Sequence, residues 1–120
     1  TTAMTLYRKD GPSPEYRTQA HLYGAGYIRE GYSVERVGIW FLPRAGQLAT
    51  SYLWTEPYDA GIVDTALSRI DLAVAMIDDL RVDEHPERLA LIPRTAWHCS
   101  WCPYWSPVPH PSPVACPGDS

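Results

Sequence analysis

Cys99, Cys102 and Cys116 are the residues whose type and spacing most directly specify chemistry in this sequence. Two thiols separated by two residues can lie on one side of a tight turn and share an ion, as structural zinc and iron–sulfur sites require. The cysteine count is three, an odd number, whereas a secreted disulfide framework shows an even count at wider spacings. The pattern therefore reads as a metal or cluster ligand set in a reducing compartment. A redox dithiol fits less well, because Cys99-Ser100-Trp101-Cys102 does not follow a strand and open a helix. With His110 or His98 as fourth donor the same residues would make a Cys₃His zinc site. Spacing alone leaves zinc and an iron–sulfur cluster both open.

A second grouping is Gln19-Ala20-His21-Leu22-Tyr23. On a helix, residues at i and i+4 share a face, so Gln19 and Tyr23 point the same way and Tyr16 and Tyr27 extend the strip. Tyrosines so placed are ordinarily half-buried packing; the amide among them gives the face a polar group able to orient a substrate or a metal-bound water. His21 lies off this face and reads as a surface residue. Trp101, Tyr104 and Trp105 surround the cysteine pair and are expected to shield it, with base stacking as the other use of such rings. Asp78-Asp79 and Asp83-Glu84 read as a solvated helix end rather than a metal pair. Arg17, Arg36 and Arg44 are scattered and read as ordinary surface charge.

Several elements must carry these residues. Residues 1–12 read as the tail of a strand and a turn at Asp10-Gly11-Pro12. Ser13 as N-cap, Pro14 at the first helical position and Glu15 in the first turn predict a helix to about Glu30, stopped by Gly31. Gly24 and Gly26 each cost that helix about 1 kcal/mol relative to alanine, which points to another backbone packed closely there. Ser33–Leu42 and Gln47–Trp54, joined by a turn at Pro43–Gly46, predict an antiparallel hairpin. Ile62, Ala66, Ile70, Ala73, Val74, Ile77 and Leu80 recur at helical spacing between Asp59 and Leu80, so that helix is expected to pack an apolar face on the sheet. From Pro103 to Pro117 the prolines exclude regular helix or strand. The fold class is thus α/β in composition, of the α+β kind. Residues 1–92 form a helix, hairpin and helix core, and residues 93–120 an irregular proline- and cysteine-rich segment.

Composition narrows the partners. A net charge of −4 gives no general electrostatic footprint for nucleic acid, so any such contact must be local or metal-mediated. No apolar run approaches the roughly 20 residues that span a bilayer, and nothing reads as a signal peptide. The start at Thr1, with no initiator methionine, leads us to expect further sequence upstream.

The order Gln-x-x-x-Tyr helix, hairpin, amphipathic helix and terminal cysteines resembles the RecB-like branch of the PD-(D/E)XK nucleases. More narrowly, it resembles the phage-encoded and CRISPR-associated exonucleases of that branch that carry an iron–sulfur cluster. Gln19 to Tyr23 matches the family's glutamine motif. His98-Cys99-Ser100-Trp101-Cys102-Pro103-Tyr104, with Cys116-Pro117-Gly118, matches its cysteine-rich end. Thr1-Thr2 stand where the sequence after the catalytic lysine is expected. The step from Cys102 to Cys116 is longer than in many relatives.

The resemblance implies the C-terminal part of a restriction-endonuclease-like core and metal-assisted hydrolysis of DNA phosphodiester bonds. It implies a structural 4Fe–4S cluster on Cys99, Cys102 and Cys116, with a fourth cysteine upstream. Gln19 and Tyr23 would be accessory groups at the active site. The carboxylates that hold Mg²⁺ or Mn²⁺, and the lysine, would precede Thr1, so this chain is expected to be inactive alone. The implied partners are single-stranded DNA or duplex ends and recombination or replication proteins, in the cytoplasm of a bacterial or phage-infected cell. A zinc-binding DNA- or protein-interaction module without catalysis is the alternative.

Overall fold

A computed structural model describes residues 3–92, 99–106 and 116. The chain divides into two compact units, residues 1–68 and 69–120. The first holds helices α1 (Ala3–Asp10) and α2 (Pro14–Arg29), strands β1 (Arg36–Phe41) and β2 (Tyr52–Pro57), and the start of α3 (Ala60–Asp79). The architecture is α+β, with one two-stranded antiparallel sheet among the described residues.

Residues 3–10 form a helix, not the tail of a strand. Ala3, Met4, Leu6, Arg8 and Lys9 are good helix formers. Gly11, at φ 74°, ends the helix by donating its N–H to the Tyr7 carbonyl at 2.9 Å, a left-handed cap that a glycine accommodates without strain. Tertiary contacts then hold the helix. The Tyr7 ring stacks on Phe41 with centroids 4.1 Å apart, and Arg8 donates to the carbonyls of Thr50 and Ser51 at 2.8 and 3.0 Å.

Helix α2 follows its sequence signals closely. Ser13 Oγ accepts from the Tyr16 N–H at 3.4 Å, and Pro14 occupies the first turn, where its missing N–H costs nothing. At the far end Tyr32 N–H reaches the Tyr27 carbonyl and Gly31 N–H the Ile28 carbonyl, each at 3.0 Å. This is a Schellman motif, and its usual apolar contact is the edge-on packing of Tyr27 against Tyr32.

The hairpin is present, but its second strand starts later than the sequence suggests. Leu48–Thr50 is a 3₁₀ turn, closed by Thr50 Oγ1 donating to the Gln47 carbonyl at 2.7 Å. Pairing runs from Phe41↔Tyr52 to Arg36↔Pro57. The register places Val37, Ile39, Phe41, Tyr52, Trp54 and Glu56 on the withdrawn face, and the alternate residues, Trp40 and Leu53 among them, on the exposed face.

Ala20, Val37 and Val63 are the buried apolar residues among those described, so the core lies where α2, β1 and the first turn of α3 meet. A methyl group on Gly24 would stand 3.0 Å from the Tyr58 ring and 3.2 Å from Val37. Close approach there is real, but side chains make it rather than another backbone. Gly26 has nothing within 4 Å. The predicted apolar stripe of α3 stays largely open: Ile70, Val74 and Ile77 are exposed, and the buried residue of this helix, Val63, is not one of the residues that define the stripe.

In the second unit, α3 ends in another Schellman motif, with Val82 N–H on the Ile77 carbonyl and Arg81 N–H on that of Asp78. Here a non-glycine residue, Arg81, takes the left-handed position at φ 51°. Arg88 donates to the Leu80 carbonyl at 2.9 Å from the 3₁₀ helix Pro86–Leu91. No helix among the described residues is long and apolar enough to cross a membrane.

Gly26→Ala should stabilise the chain by about 0.5–1 kcal/mol through helix propensity alone. Gly24→Val should destabilise it by about 1–3 kcal/mol through overpacking against Tyr58. Urea unfolding of both variants measures the contrast, and equal midpoints would rule out the close packing at Gly24.

Candidate functional site

A residue that the sequence placed at the surface is the most enclosed one among the described residues. His21 has no exposed surface and is the only polar side chain buried among the described residues. Its Nε2 stands 2.5 Å from Glu56 Oε1, and its Nδ1 accepts the Asp59 backbone N–H at 3.1 Å. An acceptor at Nδ1 assigns the ring hydrogen to Nε2, which donates to the carboxylate. Arg17 Nε donates to the same oxygen at 2.5 Å, so Arg17 is a structural ion-pair partner rather than loose surface charge. The Tyr58 ring lies 5.9 Å from the imidazole, centroid to centroid.

Glu56 and Arg17 are held in their charged forms. Burial pushes the Glu56 carboxyl up, but the hydrogen bonds from Arg17 and His21 outweigh burial and hold it below the ordinary glutamate range. The bond to Glu56 holds Arg17 more firmly protonated than usual. Glu56 keeps 21% of its side chain exposed, and His21 none. Both imidazole nitrogens are committed inside the protein, so His21 offers no atom to a substrate or metal. It anchors α2 to β2 and to the residue that precedes α3.

Gln19 and Tyr23 are two residues either side of His21, about 200° around the helix from it, and therefore face outward. Gln19 Nε2 donates to Tyr23 Oη at 3.2 Å, which brings the two predicted site residues together. That bond leaves the amide oxygen as an acceptor and the phenol hydrogen as a donor. The tyrosine strip is more open than helix packing requires: Tyr16, Tyr23 and Tyr27 are each at least half exposed.

Cys99, Cys102 and Cys116 all belong to the second unit. Cys99–Trp101 is a 3₁₀ turn, with Cys102 N–H on the Cys99 carbonyl at 2.9 Å and Trp105 N–H on that of Cys102 at 3.1 Å. Cys116 pairs with Trp105 in a parallel bridge. It donates to the Tyr104 carbonyl and accepts from Ser106 N–H, both at 2.7 Å. The third cysteine thus returns to the residues that follow the first two, and no disulfide joins them. Among the described residues, no group of three or more His, Cys, Asp and Glu side chains is arranged to hold a metal ion. His98 and His110 lie outside the described residues, as do Thr1 and Thr2.

Trp101 is 85% exposed, Tyr104 63% and Trp105 37%, so the expected shield over the cysteines is at most partial. Asp78, Asp79, Asp83 and Glu84 are exposed, with Glu84 paired to Arg81 at 2.6 Å, as a solvated helix end should be. Arg36 donates to Thr55 Oγ1 at 3.1 Å. The buried node left one trace in the sequence. Arg17, Ala20, His21 and Gly24 recur at i, i+3, i+4 and i+7, a packing stripe made of small and polar residues instead of large apolar ones.

The chain matches no protein-family model, no curated protein and no solved structure. The chemistry of its own residues therefore carries the functional reading.

Glu56→Ala should cost about 1–3 kcal/mol, because it strands the buried His21 N–H and leaves Arg17 unpaired. The wild-type pH dependence has a fixed sign. The folded carboxyl titrates below the unfolded one, so its stabilisation is complete above the unfolded value of about 4.3 and is lost as pH falls through the folded value. Urea midpoints measured down an acid series should fall for the wild type and fall less steeply for Glu56→Gln. Parallel curves would show that the carboxylate charge is not the source.

Proposed function

We propose that this chain is the C-terminal part of a metal-dependent DNA exonuclease of the RecB-like kind, with a structural iron–sulfur cluster at its end. The observation that carries the reading is the backbone pairing of Cys116 with Trp105. It brings the backbone of the third cysteine to Trp105, three residues beyond Cys102, a proximity that a shared ligand set would build on. Among the described residues the three thiols are not themselves grouped to hold a metal ion. Thiolates are the ligands such clusters take, and the donor set fits in kind. Three of four ligands would be Cys99, Cys102 and Cys116, and the fourth would come from outside the described residues. The cluster would be structural, tying the chain end in place.

The outward Gln19–Tyr23 pair supports the nuclease part of the reading. One acceptor and one donor, held together on a helix anchored from behind by His21, suit a phosphate oxygen and a water. The pair would orient DNA or the attacking water, and the Mg²⁺- or Mn²⁺-binding carboxylates would come from sequence before Thr1. The core would then be that of a restriction-endonuclease-like fold, working on DNA in the cytoplasm alongside recombination or replication proteins.

Anaerobically purified protein carrying the upstream sequence should be brown, with broad absorption near about 400 nm and stoichiometric iron. Serine at any of the three cysteines should bleach it. A colourless protein with one zinc per chain would replace this reading with the zinc-binding interaction module. Cleavage of linear DNA by these 120 residues alone would overturn the assignment of catalysis to upstream residues.

A further inference from the structure

The aromatic residues beside the cysteines are used neither by the buried node nor by the thiols. Rings that only shielded a metal site would be withdrawn from water, yet Trp101 is 85% exposed and Tyr104 63%. Trp101, Tyr104 and the more enclosed Trp105 fall within five consecutive residues. Their backbone is fixed by two successive turns and by the bridge to Cys116. Rings mounted on a braced backbone lose little freedom on binding.

The local sequence admits a polyanion. In a chain of net charge −4, no aspartate or glutamate occurs from Arg88 to Gly118, so the residues adjoining the rings in sequence carry no negative charge. Exposed planar rings suit unpaired bases, whose faces are open, whereas in a duplex those faces are already stacked. An aliphatic protein partner would not need three aromatic groups; every base has a π-face to offer.

We infer that Trp101, Tyr104 and Trp105 form a stacking platform for single-stranded DNA. The inference rests on the nucleic-acid part of the function proposed above and is independent of what the cysteines hold. Because stacking rather than phosphate neutralisation supplies the affinity, binding is weakly dependent on salt.

The test uses the purified 120-residue chain, a labelled oligothymidylate of about 16 nucleotides and a duplex of equal length. Fluorescence anisotropy and quenching of intrinsic tryptophan emission are both followed. Saturable binding of the single strand with quenching is expected, together with weaker binding of the duplex. Trp101→Ala should weaken binding roughly 5- to 150-fold, the loss of one stacked base. Tyr104→Ala should also weaken it, while Trp40→Ala, on the hairpin, should not. Trp101 is so exposed that its removal leaves folding intact, which circular dichroism verifies. Absence of quenching, equal affinity for duplex, or an unaffected Trp101→Ala variant would overturn the platform. The cluster is tested separately, by the iron content of protein carrying the upstream sequence, so that failure of the platform and failure of the cluster are distinguishable.

Discussion

One carboxylate oxygen organises the first unit. Glu56 Oε1 receives the Arg17 and His21 donors together, and the far side of the same imidazole takes the Asp59 amide. A histidine fully removed from water is tolerable only when both nitrogens are partnered. The helix, the second strand and the residue before the third helix therefore have to meet at this ring. The small residues around it follow from the same demand. Ala20 and Gly24 let α2 come close enough for the imidazole to reach Glu56, and the missing side chain at Gly24 is filled by the Tyr58 ring. Once the inner side of α2 is set, the direction of its outer side is set as well, and Gln19 and Tyr23 inherit it.

The sequence was most legible where local chemistry decides. Ser13, Pro14 and Gly31 mark the ends of α2 because capping depends on near neighbours. The hairpin and α3 follow from patterning. Helix α1 differs from the expected strand because it has few local signals and is held by distant partners, Phe41 and the Thr50–Ser51 backbone. The burial of His21 escapes local signals for a related reason. Periodicity arguments look for large apolar residues, whereas the buried positions here are an alanine, a histidine and a glycine flanked by the exposed Arg17, and the histidine's partner Glu56 lies 35 residues away. In α3 the pattern identified a real apolar face, but Ile70 and Val74 remain exposed. Periodicity names the face that favours cover; it does not name the cover.

The cysteine segment shows the same division. Residue type and spacing point to thiol ligands, and the turns at Cys99–Trp101 and at Cys102–Trp105 follow from short-range hydrogen bonds. The return of Cys116 to Trp105 crosses a proline-rich stretch with no local code for its endpoint. That return sets the backbone of Cys116 beside Trp105, while the described residues hold no three-donor metal group.

The end of α3 has a consequence for how the chain leaves that helix. Glycine is the usual residue at a left-handed helix stop, and there it acts as a swivel, since many other backbone angles are nearly as favourable. Arg81 holds this place instead, at a cost of about 1 kcal/mol. It is braced by its ion pair with Glu84, and the part-buried Leu80 carbonyl is taken by Arg88. An arginine has few alternative angles to visit. The joint behind α3 therefore works as a bracket, giving residues 82–92 a fixed heading at the expense of a little strain.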